Sequence, residues 1–206
     1  MRTPGLYVHV PFCASKCRYC DFYSESGLDR VDDWLDAVAA EARLHRGLRE
    51  PFGTLYIGGG TPSLLEPRDL KRLARSVFDS FSFDGNFEFT LEANPDDLDR
   101  GRLELYRSIG VNRLSIGVQS FDDGELGLLG RRHDAGGAAR AVEEAREAGF
   151  SNISIDLIYA IPGQTAASWL DTLDRALRYD PEHLSCYELT LEEDAPLARM
   201  IRGGEA

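Results

Sequence analysis

Short apolar runs alternate along the chain with longer amphipathic stretches, six times in succession. Runs of this kind, bounded by Gly, Pro, Asn or Asp, predict buried strands, and stretches with a period near 3.6 predict helices. The predicted strands cover residues 6–10, 54–57, 87–91, 113–118, 152–158 and 183–189. The predicted helices cover residues 31–46, 67–80, 99–109, 135–148 and 166–179, and a last one over 194–202 has Asp194 as its N-cap.

Two of these helices carry a clear apolar stripe, which marks the face expected to pack on a sheet. In the first helix the stripe consists of Trp34, Leu35, Val38, Ala42 and Leu44. In the second it consists of Leu70, Leu73, Ala74 and Val77.

Strands that alternate with helices of this length predict parallel β–α units with right-handed crossovers. An open flavodoxin-like sheet and a barrel both satisfy the alternation. Unusual residues stand at or just beyond the ends of successive strands, and barrels collect their active sites at that end of the strands. These residues are Cys13, Gly60, Glu92, Gln119, Asp156 and Thr190. We therefore predict an α/β fold, a partial, open (β/α)6 barrel.

Composition and charge set outer limits on this prediction. The chain has 206 residues, of which 43% are hydrophobic, and we expect one domain over 1–206. The net charge of −12 argues against a nucleic-acid-binding surface. A short basic run at 131–133 could form a local basic patch, although solvated surface is the ordinary interpretation. No apolar run approaches the length of a membrane span.

The first predicted strand leads into three cysteines, Cys13, Cys17 and Cys20, spaced C-x3-C-x2-C. Pro11 cannot donate to a sheet ladder, so the strand ends there and the cysteines lie on a loop. A loop can wrap three thiolates around one iron–sulfur cluster. Four-iron clusters ordinarily take four thiolates, so three leave one iron open to a small molecule.

Two other uses of these cysteines stay open at this point. His9 could join them in a zinc site, although the spacing is not the pair-plus-pair of zinc fingers. A disulfide framework is disfavoured, because the loop has an odd number of cysteines and the first residues lack the apolar region of a signal peptide. A reducing, cytoplasmic location is expected. Cys186 lies within a predicted strand, where a free cysteine is usually a small core residue.

Three further features have both an ordinary and a functional interpretation. The run Gly58–Pro62 is either a turn or an open backbone with N–H groups for a ligand. Glu92 at a strand end is ordinarily a solvated carboxylate. Asp156 interrupts an apolar strand, where a charge is costly unless it is paired or points into a site.

Five motifs together resemble one family, the radical S-adenosylmethionine (SAM) proteins that are similar to oxygen-independent coproporphyrinogen III oxidase. They are Tyr-x-His-x-Pro-Phe-Cys at 7–13, Gly-Gly-Gly-Thr-Pro at 58–62, Glu-Ala-Asn-Pro at 92–95, Ser-Ile-Gly-Val-Gln-Ser-Phe at 115–121 and Ile-Asp-Leu-Ile-Tyr at 155–159. The resemblance extends from residue 7 to about residue 200, in the same order.

The resemblance implies a role for each site residue. Cys13, Cys17 and Cys20 would ligate a [4Fe–4S] cluster, and SAM would chelate its fourth iron. Tyr7 and Tyr19 would line SAM; Gly59, Gly60 and Thr61 would bind its methionine part, Glu92 its amino group and Arg131 its carboxylate; Gln119 and Asp156 would hold the ribose hydroxyls, with Thr190 near the adenine. A low-potential electron from a donor such as flavodoxin or ferredoxin would cleave SAM to a 5′-deoxyadenosyl radical.

One position separates two branches of the family. The oxidases, which carry out radical oxidative decarboxylation of porphyrinogen propionates, have a further cysteine two residues after the third cluster cysteine, and this chain has Phe22 there. Phe22 resembles the haem chaperone branch, whose members bind haem and transfer it to apoproteins. A barrel that binds only cluster and SAM is a third possibility. The C-terminal domain of the family is expected to be absent from this chain, and no histidine is assigned as a haem ligand.

Overall fold

The structure is a computed structural model that describes residues 3–48 and 50–204. Its main sheet has six parallel strands in the order β1, β4, β5, β6, β7, β8. These strands are β1 (Gly5–Val10), β4 (Phe52–Gly59), β5 (Phe83–Ala93), β6 (Arg113–Gln119), β7 (Ile153–Tyr159) and β8 (His183–Glu188). All six predicted strands are therefore confirmed, although β4 and β5 extend further than predicted.

The strand order decides between the two architectures that the alternation allowed. A doubly wound flavodoxin-like sheet reverses its strand order at a switch point. Here each strand of the main sheet pairs with the next one along the chain without a reversal. Within residues 3–48 and 50–204, β1 and β8 do not pair with each other, so the barrel is open, as predicted.

The helices follow the predicted alternation, with one addition. The predicted ones are α1 (Val31–Leu44), α2 (Pro67–Phe78), α3 (Arg100–Ser108), α5 (Ala135–Glu147), α6 (Ala166–Leu177) and α7 (Pro196–Arg202). The addition is α4 (Asp123–Leu129), which lies between the predicted strand 113–118 and the predicted helix 135–148, where no helix was predicted. Asp122 caps it by accepting a hydrogen bond from the backbone N–H of Glu125, and Gly130 ends it with a left-handed φ of 73°.

The core lies between the sheet and the helices that cover one of its faces. Alternate strand residues such as Val10, Ile57 and Leu91 are fully buried there, together with Leu70 and Leu73 of α2. The residues between them point to the opposite, concave face, because side chains alternate along a strand. That concave face is where the site forms.

Three details of the prediction were wrong. Leu44 is 82% exposed, because it lies two residues after Ala42 and therefore on the opposite face of α1 from the buried stripe. The cap of α7 is Ala195, followed by Pro196, so Asp194 is not the N-cap. Cys186 is exposed, because β8 is an edge strand, and it is not a core residue.

No helix in the described residues has both the length and the apolar character that a membrane crossing requires.

Candidate cluster and SAM site

The segment that carries Cys13, Cys17 and Cys20 is here called the cysteine loop. It is closed at its base by a two-stranded sheet of β2 (Phe12–Cys13) and β3 (Glu25–Ser26). The backbone N–H of Gly27 donates to the carbonyl of Cys13 at 3.2 Å. On its far side the loop is tied to the end of α4, where the N–H of Arg18 donates to the carbonyl of Leu129 at 3.1 Å. The sequence predicted only that the cysteines lie on a loop after Pro11, and these contacts hold that loop at both of its sides.

The three cysteines are free thiols; Cys13 is buried, and Cys17 and Cys20 are half-buried. Burial, and then the neighbouring Cys17 and Cys13, raise the pKa of the Cys20 thiol, and a hydrogen bond from the Phe22 backbone opposes that rise. Cysteine thiolates are the protein ligands of iron–sulfur clusters, and this loop carries three cysteines between residues 13 and 20. The donor set therefore fits an iron–sulfur cluster.

A zinc site that uses His9 fits less well. Both nitrogens of the His9 ring are engaged, Nδ1 with the Tyr7 hydroxyl at 3.1 Å and Nε2 with the carbonyl of Tyr23 at 3.0 Å. Across residues 3–48 and 50–204, no three His, Cys, Asp or Glu side chains converge on one metal ion.

A cavity of about 820 Å³ opens beside the loop, at the C-terminal ends of the strands. It is lined by every predicted site residue except Tyr7, namely Cys13, Cys17, Tyr19, Cys20, Gly59, Gly60, Thr61, Glu92, Gln119, Arg131, Asp156 and Thr190. Tyr7 is 55% exposed on β1 and its ring stacks obliquely on that of Tyr56, 5.9 Å away. The structure thus brings the predicted set together around one cavity and places Tyr7 outside its lining.

The glycine run allows the end of β4 to approach the cysteine loop. Gly59 has a φ of 119°, which favours glycine, and a Cβ atom there would lie 2.6 Å from Nδ1 of His9. A Cβ atom on Gly60 would lie 2.6 Å from the carbonyl oxygen of Phe12. The space that these glycines leave is therefore occupied largely by the protein itself.

Glu92 is fixed at the edge of the cavity by two donors. The Tyr56 hydroxyl donates to Oε1 at 2.8 Å, and the N–H of Gly59 donates to Oε2 at 2.9 Å. Burial, and then the charge and hydrogen bond of Glu92, raise the pKa of Tyr56, so that its hydroxyl remains a donor. This carboxylate is oriented, with acceptor capacity left for a cationic amine.

Gln119 is directed into the cavity by strained backbone. Its φ is 68°, rare for a residue with a side chain, and the β6–β7 register shifts between Ile116 and Gln119. The Tyr187 hydroxyl donates to its Oε1 at 2.7 Å. Strain of this kind persists where surrounding contacts hold it, and it is common at binding sites.

Asp156 lies among hydroxyl groups on the concave face. Ser115 Oγ donates to its two carboxylate oxygens at 3.1 and 3.2 Å, and Ser154 Oγ lies 3.4 Å from Oδ1. Burial raises the pKa of Asp156 to about 7; the Glu92 charge adds to the rise, whereas the serine hydrogen bonds and Arg113 oppose it.

The basic run 131–133 does not form a surface patch, so that possibility was wrong. Arg131 lines the cavity and donates to Gly117 O at 2.8 Å and to Cys17 Sγ at 3.3 Å. Arg132 forms an ion pair with Asp97, with Nη2 and Oδ1 2.6 Å apart. His133 is buried, and burial followed by the Arg131 charge lowers its pKa to about 4.

The sequence interpretation missed a set of polar residues that also line the cavity, one layer below the predicted ones. They include Tyr56, Arg113, Ser115, Ser154, His183, Ser185 and Tyr187. Ser154 Oγ lies 2.8 Å from Nδ1 of His183, so this layer joins Asp156 to the edge of the sheet. Polar and apolar residues alternate within β6, β7 and β8, a pattern that marks a polar face of each strand but not a site.

Comparison with known families and proteins agrees with this geometry. Residues 7–176 match the Radical SAM superfamily. The haem chaperone HemW of Haemophilus influenzae is 36% identical over 202 residues, which are 94% of this chain and 53% of that protein. HemW of Mycobacterium tuberculosis is 40% identical over 207 residues, 98% of this chain and 53% of that protein. The chain thus spans about half the length of the curated relatives it matches.

Among solved structures, the coproporphyrinogen III oxidase HemN of Escherichia coli, a radical SAM enzyme, superimposes with a TM-score of 0.87. Its sequence is 32% identical, and the match covers 96% of this chain and 47% of that one. Archaeal Elp3 of Methanocaldococcus infernus has a TM-score of 0.69 at 16% identity, which shows a shared fold alone.

Proposed function

The chain belongs to the radical SAM superfamily, and from that premise we propose that it is the cluster- and SAM-binding domain of a haem chaperone. Membership in the superfamily implies a [4Fe–4S] cluster and SAM. The observation that carries the chaperone proposal is the similarity to HemW over nearly the whole chain. Phe22 supports it, because the oxidases of the resembled family have a cysteine at that position.

In this proposal Cys13, Cys17 and Cys20 ligate three irons and leave one open for SAM. The cavity beside them supports this assignment, because it holds an oriented carboxylate, a guanidinium and a half-buried carboxyl at separate places along its wall. Glu92 accepts from the amino group of SAM, Arg131 donates to its carboxylate, and Gln119 and Asp156 bond the ribose hydroxyls. Gly59, Gly60 and Thr61 meet the methionine part, Tyr19 lines the ligand and Thr190 lies near the adenine.

In this proposal the residues of this chain bind and orient the ligand. A bound cluster would supply a low-potential electron for cleavage of SAM. An electron donor such as flavodoxin or ferredoxin, haem-accepting apoproteins and a cytoplasmic location complete the proposal.

The oxidase remains the second candidate, because HemN has the same fold over this chain at 32% identity. Phe22 argues against it. The ring is 69% exposed and lines the cavity, and a phenyl ring cannot ligate a metal or transfer a proton as a thiol can.

One experiment separates the two candidates. The full-length gene product that contains this chain would be reconstituted anaerobically with iron and sulfide, then assayed for haem binding and for carbon dioxide release from coproporphyrinogen. We expect stable haem binding, transfer of haem to an apoprotein and no carbon dioxide above background. Protoporphyrinogen formation without stable haem binding would contradict the chaperone proposal.

The affinity for SAM is expected to fall as the pH decreases through about 7. The pKa of Asp156 is raised to about 7, chiefly by burial, and only its ionised form accepts a hydrogen bond from each ribose hydroxyl at full strength. Asp156→Asn should make the affinity nearly independent of pH in this range. At higher pH it should weaken binding roughly tenfold to hundredfold, the loss of about 1.5–3 kcal/mol for a charged hydrogen bond.

Anaerobic equilibrium dialysis of labelled SAM on either side of pH 7 measures this effect. Glu92, Arg113, Tyr56, Tyr187, Cys186 and His183 are the other titratable or charged groups around Asp156. Asp84→Asn, an exposed carboxylate on β5 outside the cavity lining, is the control and should keep the wild-type profile. An unchanged profile in Asp156→Asn would remove Asp156 from the SAM pocket.

A further inference from the structure

We propose that Arg131 is a positioning residue for the iron–sulfur cluster itself, through a hydrogen bond to the sulfur of Cys17, and not only a partner of the SAM carboxylate. The inference rests on the proposed cluster site and adds a second role within it. In this inference the Arg131 guanidinium holds Cys17 in position for the cluster even when SAM is not bound.

The guanidinium of Arg131 is held in place by both of its terminal nitrogens. Nη2 donates to the carbonyl of Gly117 on β6 at 2.8 Å, and Nη1 donates to Cys17 Sγ at 3.3 Å. These bonds connect the cysteine loop to the sheet across the mouth of the cavity. Nε is buried and has no partner among the described residues, so one donor remains for a further acceptor.

The backbone around Arg131 fixes where its side chain starts. Gly130 ends α4 in the left-handed region, and the N–H of Arg131 then donates to the carbonyl of Leu126 at 3.0 Å. The neighbouring carbonyl of Leu129 receives the N–H of Arg18 from the cysteine loop. The same end of α4 therefore holds the loop by its backbone at Arg18 and by its sulfur at Cys17.

The positive charge of Arg131 has no carboxylate to compensate it. Within residues 3–48 and 50–204, no Asp or Glu oxygen lies within 4.0 Å of its nitrogens. The next residue differs, since Arg132 is paired with Asp97. A partly buried cation without a counter-charge is costly, and the structure places the sulfur of Cys17 beside it, which would be a thiolate with a cluster bound.

A hydrogen bond from a cation to a cluster thiolate changes the reduction potential in a known direction. Reduction adds negative charge to the cluster and its thiolates, so the donor stabilises the reduced form more than the oxidised form. Removal of the donor should therefore make the midpoint potential more negative, even when SAM is absent.

The test is a redox titration of the reconstituted cluster, monitored by electron paramagnetic resonance without SAM. It compares the wild type with Arg131→Gln, Arg131→Lys and the neighbouring control Arg132→Gln. We expect a more negative midpoint in Arg131→Gln, a smaller shift in Arg131→Lys and no shift in Arg132→Gln, whose charge is compensated by Asp97. Iron and sulfide contents and the melting temperatures of the apo-proteins are measured alongside.

The outcomes separate this inference from the proposed function. An Arg131→Gln protein with a full cluster, the wild-type midpoint and weaker SAM binding would overturn the inference and leave the SAM site intact. Arg131→Gln could instead lose iron while Arg132→Gln keeps it, with equal melting temperatures of the apo-proteins. That result would support the inference, because a residue that binds only SAM does not affect cluster loading in the absence of SAM. A wild-type protein that takes up no four-iron cluster would instead defeat the proposed function.

Discussion

Replacement of Cys17 by alanine is expected to abolish binding of a four-iron cluster, and Cys13→Ala and Cys20→Ala should do the same. In the proposed site three thiolates ligate three of the four irons and the fourth iron is left for SAM, so each thiolate is the only protein ligand of its iron. The loss of one leaves two irons without protein ligands. Iron and sulfide analysis after anaerobic reconstitution, with the visible absorption of the cluster, measures the effect.

Cys186→Ala is the matched control for this set. Cys186 is the remaining cysteine of the chain, is exposed on the edge strand β8 and does not line the cavity. Its removal should leave the iron content at the wild-type value. Retention of a complete four-iron cluster by Cys17→Ala would show that the assignment of ligands is wrong.

Gly60→Val is expected to abolish both cluster loading and SAM binding. An open backbone at 58–62, as the sequence allows, would make a larger side chain block the ligand, but the structure gives a different cause. A Cβ atom would lie 2.6 Å from the carbonyl oxygen of Phe12, which also accepts the N–H of Thr61 at 2.7 Å. Backbone must therefore move, and overpacking of this kind costs about 1–3 kcal/mol or more. The displaced segment leads directly into Cys13.

Gly85→Val provides the comparison, since a Cβ atom at Gly85 on β5 meets nothing within 4 Å. This variant should load iron and bind SAM like the wild type. Circular dichroism of both apo-proteins shows whether Gly60→Val retains the sheet. Wild-type iron content and SAM affinity in Gly60→Val would contradict the close approach of β4 to the cysteine loop.

The six strands and most helices could be predicted because each strand is a short apolar run and each long helix has a repeating apolar face. The helix α4 could not, because its glycines weaken the helical pattern and its stability comes from caps and tertiary contacts. The pair β2 and β3 was also missed, since two-residue strands carry no period. Their pairing depends on how the cysteine loop folds back.

The two errors of burial have different causes. Leu44 lies nine residues after the buried Leu35, about two and a half turns at 3.6 residues per turn, so the helical period itself places it on the opposite, exposed face of α1. Cys186 alternates correctly within β8, but β8 is an edge strand, so one side of it is open. The second error arises because periodicity describes one element at a time.

Most residues at the top of the cavity lining could be predicted from family motifs, since each motif lies at or near a strand end and the strand ends meet at one edge of the barrel. The polar residues one layer below, such as Ser115 and Ser154, could not be predicted as part of a site, because serine and tyrosine are common on any polar face of a strand. Ser115 and Ser154 contact Asp156 only because of the register between β6 and β7, which the sequence of one strand does not contain. The role of Tyr7 stays a prediction: its side chain is not part of the cavity lining, and its ring lies 5.9 Å from that of Tyr56, which is part of that lining.

The central claim is that three thiolates hold a four-iron cluster whose open iron faces a SAM pocket. The most direct test is the electron paramagnetic resonance spectrum of the reduced, reconstituted protein with and without SAM. We predict a four-iron signal that changes when SAM is added, because SAM binds the open iron, and that no longer changes when the SAM analogue lacks the amino and carboxylate groups. A four-iron signal that SAM leaves unchanged would contradict the claim.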